Sequence, residues 1–305
     1  MSSTGHALLP ATSAGGRLRG LGQSILVFLR VMARNKVGFA GFLGVLFFLL
    51  LAFVAPYFVP ISTKTDLTAI GQPPSWSHIL GTDTEGRDVW VQIVHGGSDV
   101  IIVAFLTAGL TTLIAVSLGA LAAFLGGWFD TFMMGLTDIV LTIPQFPLLA
   151  VLATLITLNN VFYVALVLAA LNWPYLMRAV RAQVLSLKER EYVEAARSLD
   201  LSVFHILFRE ILPNMLPFIA ISFTLAATSA IYFEIGLFFL GLVPLAGNNW
   251  GVMIFQAWNR GAATNPNTVF YILGPVFAIA LFQLALVFMS RSLEEVFNPR
   301  LRQGV

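Results

Sequence analysis

Val37-Gly-Phe-Ala-Gly-Phe-Leu-Gly-Val-Leu-Phe-Phe-Leu-Leu-Leu-Ala-Phe-Val-Ala-Pro-Tyr-Phe-Val59 runs for 23 residues without an Asp, Glu, Lys or Arg. Wound as an α-helix it would measure about 35 Å, enough to cross the ~30 Å hydrocarbon layer of a bilayer. The same four residue types are missing from 100–129, 139–177, 211–233 and 261–290. The 139–177 stretch, extended back to Thr131, is long enough for two spans, divided near Asn159-Asn160, whose side chains favour a turn. Six membrane spans are therefore expected, at 37–59, 100–125, 131–156, 160–180, 214–243 and 269–290. The fold class that follows is an all-α polytopic membrane protein.

Composition agrees. Of 305 residues, 58% are hydrophobic and only 10% charged, against roughly half and a quarter in a soluble domain. Too few charges remain to coat a water-facing surface, so a soluble enzyme, a disordered scaffold and a nucleic-acid-binding domain all fit poorly. The chain has no cysteine, which excludes disulfides, thiolate metal sites and Cys nucleophiles. Residues 1–36 lack an apolar core ahead of a small-residue cleavage site, so no signal peptide is expected.

The net charge is only +2, but its distribution is uneven. Fourteen of the seventeen Lys and Arg precede the first span, lie between the fourth and fifth, or follow the sixth; Lys64, Arg87 and Arg260 are the exceptions. Cytoplasmic loops collect Lys and Arg, so both termini and the 181–213 loop are expected in the cytoplasm, and 60–98 and 244–268 outside. The chain then divides into a cytoplasmic arm (1–36), the first span (37–59), an external loop with an interfacial helix (60–98), a five-span core (99–291) and a cytoplasmic tail (292–305).

Catalytic motifs are missing. No Lys follows a Gly, so there is no Walker A loop; the four histidines stand apart, with no HExxH pair; there is no GxSxG elbow. The 181–213 loop is the more informative segment. Val184, Leu187, Tyr192, Ala195 and Leu199 recur mostly at helical intervals, while Lys188, Glu189, Arg190 and Glu191 suit a wet face. Ser202 is placed to cap a second helix bearing Val203, Ile206, Leu207 and Ile211, and Pro213 fits the first turn of the fifth span. A helix–turn–helix at the cytoplasmic surface is expected.

Glu194-Ala195-Ala196, then position 200, then Leu212-Pro213 resemble the EAA loop of ABC-importer permeases. In that family the loop forms coupling helices that dock into a cytoplasmic ATPase subunit. The resemblance implies that the 186–213 segment couples, with two alanines permitting close approach to the partner and Glu194 and Arg197 able to pair across the interface. One position departs: the family's glycine is Asp200, a residue type that tolerates φ > 0 but adds a negative charge.

Other segments are similar to the "C" subunit of dipeptide/oligopeptide/nickel permeases. They are Arg34-Asn35-Lys36, Ala55-Pro56-Tyr57, the run from His78 to Val89, Gly126-Gly127-Trp128, Asp138-Ile139 with Ile143-Pro144, Phe239-Leu240-Gly241-Leu242, Trp250-Gly251 and Asn298-Pro299-Arg300-Leu301-Arg302. The resemblance implies the fold of a type I ABC-importer transmembrane domain, a non-catalytic chain in the inner membrane. It implies as partners a homologous second permease, one or two ATPase subunits, an extracytoplasmic substrate-binding protein and membrane lipid, and no nucleic acid. ATP and Mg would be held by the partner subunits, with no cofactor on this chain. The solute is left open among peptides, nickel, glutathione-like peptides and oligosaccharides.

Three details keep more than one reading. Asp83, Arg87 and Asp88 belong either to a polar turn leading into an interfacial helix at 87–98, the favoured reading, or to a contact with a substrate-delivering protein. Asp138 and Glu234 lie inside spans, where an ionised side chain costs at least ~2.5 kcal/mol unless paired or hydrated. They line a translocation pathway, or they hydrogen-bond helices together; neither has a visible intramembrane Lys or Arg partner in the sequence. Pro144 and Pro147 should kink the third span, for a cavity wall, a gate or packing. The competing function is a self-contained proton- or ion-coupled transporter using Asp138 and Glu234 as carriers; the repeat halves and midplane charge pairs of such transporters are not visible.

Overall fold

The computed structural model describes residues 32–61, 65–156, 158, 160–243 and 247–297. Of the expected arm (1–36) and tail (292–305), residues 1–31, with Arg17, Arg19 and Arg30, and 298–305, with the 298–302 motif, lie outside these residues, as do Lys64 and Asn159, while α9 carries the chain on to Phe297. Nine α-helices of eight residues or more are described: α1 Lys36–Phe53, α2 Val89–Leu125, α3 Gly127–Thr142, α4 Gln145–Leu155, α5 Val161–Lys188, α6 Glu191–Ser198, α7 Leu216–Phe239, α8 Trp250–Asn259 and α9 Phe270–Phe297. No strand occurs among the described residues, only an isolated bridge between Thr82 and Asp88. Five helical runs are long and apolar enough to span a membrane, and α3 with α4 makes a sixth if the bent pair counts as one.

That bend is 84°, so the kink expected in the 131–156 span is present and breaks it into two helices. Its cause is local. Pro144 cannot donate a backbone hydrogen bond, and it stands as the N-cap of α4 after α3 ends at Thr142. Pro147 falls in the first turn of α4, where a proline costs little.

One expected boundary moved. An interfacial helix at 87–98 and a span from 100 were expected, yet α2 is continuous over 37 residues, about 56 Å. Asp88 caps its start, with Oδ1 accepting from the Val91 amide at 3.0 Å. Gly96 and Gly97 do not break it, because they serve packing. A Cβ at Gly96 would lie 1.7 Å from the Asn248 carbonyl oxygen, and one at Gly97 would meet the Trp250 ring. The Trp250 indole donates to the Ile93 carbonyl at 2.9 Å across the same contact.

α2 is the centre of the bundle, packed along α5 and α7, with α1 against α9. Gly38, Gly41 and Gly44 form a stripe on α1 that admits Ser292, Met289 and Ala285 of α9. Small residues at such spacing let helix backbones approach within a membrane, where burial of apolar surface supplies no drive. One apolar cluster joins α1, α2, α7, α8 and α9. A second gathers the ends of α2 and α5 with α6 and residues 203–215.

Candidate functional site

Most of the described Lys and Arg gather at one end of the bundle, called here the basic end. There α5 runs to Lys188, past the expected end of its span at 180, and takes Val184 and Leu187 into itself. The first loop helix is therefore shorter than expected, only Glu191–Ser198. It closes with the Leu201 amide donating to the Ala196 carbonyl at 3.2 Å and the Asp200 amide to that of Arg197 at 2.9 Å. This is the Schellman pattern, whose C′ residue takes the left-handed conformation. Asp200 occupies it with φ 55°, the one non-glycine residue at positive φ among those described. Ser202 then caps the next turn, its Oγ accepting from the His205 amide at 3.3 Å. The chain passes through a π segment, Ile206–Ile211, and a 3₁₀ turn, Leu212–Met215, into α7. Pro213 thus sits in a 3₁₀ turn ahead of the span helix, not in its first turn, and Leu212 is half-buried beside it.

One expectation about this loop is corrected. Ala196 faces inward with Val193, packed among Ala120, Ala122 and Ala123 of α2, so only Ala195 of the pair is offered to the outside. The Arg197 guanidinium lies 5.5 Å from the Phe124 ring centroid, and Lys188 Nζ lies 5.7 Å from the same centroid. Lys188 also donates to the carbonyls of Ala123 and Phe124, both at 3.2 Å. A cation over the last carbonyls of α2 is favoured by the helix dipole. The loop is thereby clamped onto the end of α2. Outward from this anchor stand Glu194, Ala195 and Asp200, with three large apolar groups: Leu199 at 74% exposure, Phe204 at 66% and Phe208 at 62%. The two phenylalanine rings stack at 6.4 Å. Their i,i+4 spacing, off the face bearing Ile206, Leu207 and Ile211, was the readable signal for them.

Asp138 was expected to face the bundle interior or a watery pathway, without a basic partner. Its side chain is 65% exposed and does have a basic partner, forming an ion pair with Arg178 of α5, whose Nε also donates to Thr137 Oγ1 at 2.8 Å. Arg181 binds both carboxylate oxygens of Asp130 in the same way. These pairs tie α3 to α5. Between α2, the α3–α4 bend, α5 and α7 lies a cavity of about 650 Å³. Its polar lining is uncharged, from Thr111, Gln145, Asn172, Tyr175, Ser222 and Ser229. Neither Asp138 nor Glu234 lines it. Glu234 is fully buried elsewhere, with its Oε1 accepting from Asn249 Nδ2 at 2.9 Å.

At the opposite end, Asp83 is fully buried. Its Oδ1 accepts from the amides of Glu85 and Arg87 at 2.7 and 2.9 Å, and its Oδ2 from Arg87 Nε and Gln92 Nε2 at 2.8 and 3.0 Å. Burial works against the Arg87 charge, but Asp83 and then Glu85 outweigh it and hold its pKa above the ordinary arginine value. Arg87 also reaches Gln256 of α8 at 3.5 Å, which accepts from the Tyr271 hydroxyl at 2.9 Å. Arg260 joins by donating to Thr84 Oγ1 at 2.9 Å and pairing with Glu85. Asp88 holds His78 Nδ1 at 2.8 Å besides capping α2. Asp83, Arg87 and Asp88 thus all have partners within the chain.

With this geometry in view, comparison with known proteins gives a direct result. The family described as binding-protein-dependent transport system inner membrane component matches residues 115–303, well over half the chain. The chain belongs to this family. The N-terminal transmembrane domain of oligopeptide transport permease C matches residues 26–74. A protein named as a peptide permease of Brucella suis biovar 1 is 36% identical over 293 residues, covering 93% of this chain and 96% of the relative. The dipeptide transport system permease protein DppC of Bacillus subtilis is 31% identical over 280 residues, 90% and 85% of the two chains. The oligopeptide transport system permease protein OppC of Mycobacterium bovis is 33% identical over 216 residues, 70% and 74%. The protein is accordingly an all-α, multi-pass membrane permease component of an ABC importer, the class of system that works with an ATPase and a separate binding protein.

Proposed function

We propose that this permease carries peptides through the inner membrane for an importer powered by separate ATPase subunits, and that the surface from α6 to Pro213 is where those subunits act. The basic end is then cytoplasmic, following the positive-inside rule, and a second, homologous permease completes the pathway. The relatives, a peptide permease, a dipeptide permease and an oligopeptide permease by name, support peptides as the solute. The observation that carries the coupling reading is the exposed set Leu199, Phe204 and Phe208 at the water-facing end of the bundle. A clustered apolar patch rimmed by charges marks a protein contact, and this one is rooted in α2 through Phe124.

The mechanism is transmission. ATP and Mg belong to the partner subunits, and no bond is made or broken on this chain. Nucleotide turnover moves the docked loop, and differential affinity for the outward- and inward-facing states is what shifts the equilibrium between them. Glu194, Ala195 and Asp200 form the polar and small part of the docking surface; Val193 and Ala196 hold it to α2 and α5; Leu212 and Pro213 join it to α7. At the other end, the binding protein delivers the solute near residues 60–98 and 244–268.

The test is assembly and turnover of the complete complex. Phe204→Asp with Phe208→Asp should abolish co-purification of the ATPase subunits while the thermal midpoint of the permease stays unchanged. Unchanged assembly would remove the docking surface from the argument. Peptide uptake into vesicles driven by an ion gradient with the single chain and no ATP would remove the importer reading altogether.

A further inference from the structure

A second, smaller cavity of about 150 Å³ lies between α2, α5, α7 and the segment leading into α8. Glu234 lines it from α7 and Asp99 from α2. Glu234 is fully buried, and while its Oε1 is held by Asn249, its Oε2 has no donor among the described residues. The Asn249 amide cannot turn round to change this. Its own Oδ1 accepts from the Gly251 amide at 2.8 Å, and the residue is 2% exposed. Asp99 sits at an exposed position, which places the mouth of the cavity there. Asn160 also lines the space, but its Oδ1 is engaged by the Phe162 amide at 2.8 Å. The remaining lining is aliphatic or aromatic, including Val103, Val164 and Phe238, and no Lys, Arg or His contributes.

Two carboxyl groups line one largely apolar cavity with no basic partner, and an unpaired charge at membrane depth is costly, so Glu234 either holds a proton or meets a cation supplied from elsewhere. A hard metal ion fits poorly, because it takes six or more oxygens and both asparagine oxygens are already engaged. The space exceeds what one water needs, which is ~10–15 Å³. An ammonium group on a short aliphatic arm matches both features, with N–H donors for Glu234 Oε2 and Asp99 and methylenes for the apolar wall. We infer that the Glu234–Asp99 cavity binds the primary ammonium group of a transported solute. The inference rests on the permease reading and narrows it to amine-bearing solutes, held at a point apart from the uncharged 650 Å³ cavity.

Binding can be measured without transport, so its outcome is separate from that of the importer reading. The purified complex is heated in rising methylammonium chloride, with tetramethylammonium chloride and sodium chloride at matched ionic strength. Methylammonium alone should raise the unfolding midpoint saturably, because tetramethylammonium has no N–H to donate. Glu234→Gln and Asp99→Asn should each raise the half-saturating concentration at least tenfold; the exposed Asp99 gives a reading even if the buried substitution impairs folding. Glycinamide and n-butylammonium then distinguish an N-terminal amine from a lysine-like side chain, by which of them saturates at lower concentration. An equal response to all three salts, or an undiminished methylammonium response in both variants, would overturn the assignment. So would stabilisation by acid alone with no methylammonium effect, which would leave Glu234 a neutral structural acid.

Discussion

Replacing Asp83 with Ala should do more damage than its place near the end of the bundle suggests. The carboxylate is fully buried and accepts four hydrogen bonds, two from backbone amides and two from the Arg87 and Gln92 side chains. Breaking a buried ion pair by removing one partner costs ~3–5 kcal/mol, mostly because the other charge is left uncompensated. Arg87 is partly compensated here, since Glu85 remains 3.2 Å away and its own side chain is 20% exposed. The lower end, about 3 kcal/mol, is therefore the expected cost. Asp83→Asn keeps an acceptor and the volume but loses the charge, and should cost about 1–2 kcal/mol. At roughly 2–4 °C per kcal/mol for a large domain, the Ala variant should lower the unfolding midpoint by about 6–12 °C and the Asn variant by about 2–8 °C. The assay is thermal unfolding of the purified protein in detergent, followed by tryptophan fluorescence. An Ala variant within about 2 °C of the unsubstituted protein would refute the reasoning, because it would mean that the network stores no net stability.

Phe124→Ala removes the ring between Lys188 and Arg197, a loss of about 1–2 kcal/mol at partly exposed cation–π contacts. In the assembled complex it should lower the stimulation of ATP hydrolysis by the binding protein, while Phe124→Trp restores it; equal stimulation in both variants would show the clamp to be irrelevant to coupling. Asp200→Gly relieves a left-handed conformation worth ~1 kcal/mol or more but loosens the unfolded chain by 0.5–1 kcal/mol (an approximate range), so the midpoint should barely change. Asp200→Val should instead fall by the full strain, and any change in ATPase association on going to Gly would report the charge alone.

The bundle was legible wherever the chemistry was local. Charge-free runs marked the spans, Ser202 announced its cap, and the replacement of a family glycine by Asp200 pointed to a left-handed turn that is present. Pairings across long sequence separations were not legible. Arg178 was counted with the basic loop because nothing in its neighbourhood names Asp138, forty positions earlier, as its partner. Ala196 faces inward because of where α2 lies, which no periodicity within an eight-residue helix can reveal. The division expected between an interfacial helix at 87–98 and a span from 100 did not appear, and only the Asn248 carbonyl and the Trp250 ring beside Gly96 and Gly97 show what packs where the backbone runs straight through. The Glu234 cavity needed the packing of four elements before its emptiness of positive charge could be seen.

The unbroken length of α2 has a mechanical corollary. Fastened by Phe124 at one tip and by Asp88 at the other, it behaves as a lever with no joint of its own, so a tilt imposed on one side of the bilayer arrives undiminished on the other. Flexure is then left to places where helical hydrogen bonding is interrupted outside α2, among them the elbow at Pro144 and the over-wide coil at Ile206–Ile211. A strap that locked either of them should freeze the protein in one posture without touching the route that the solute takes.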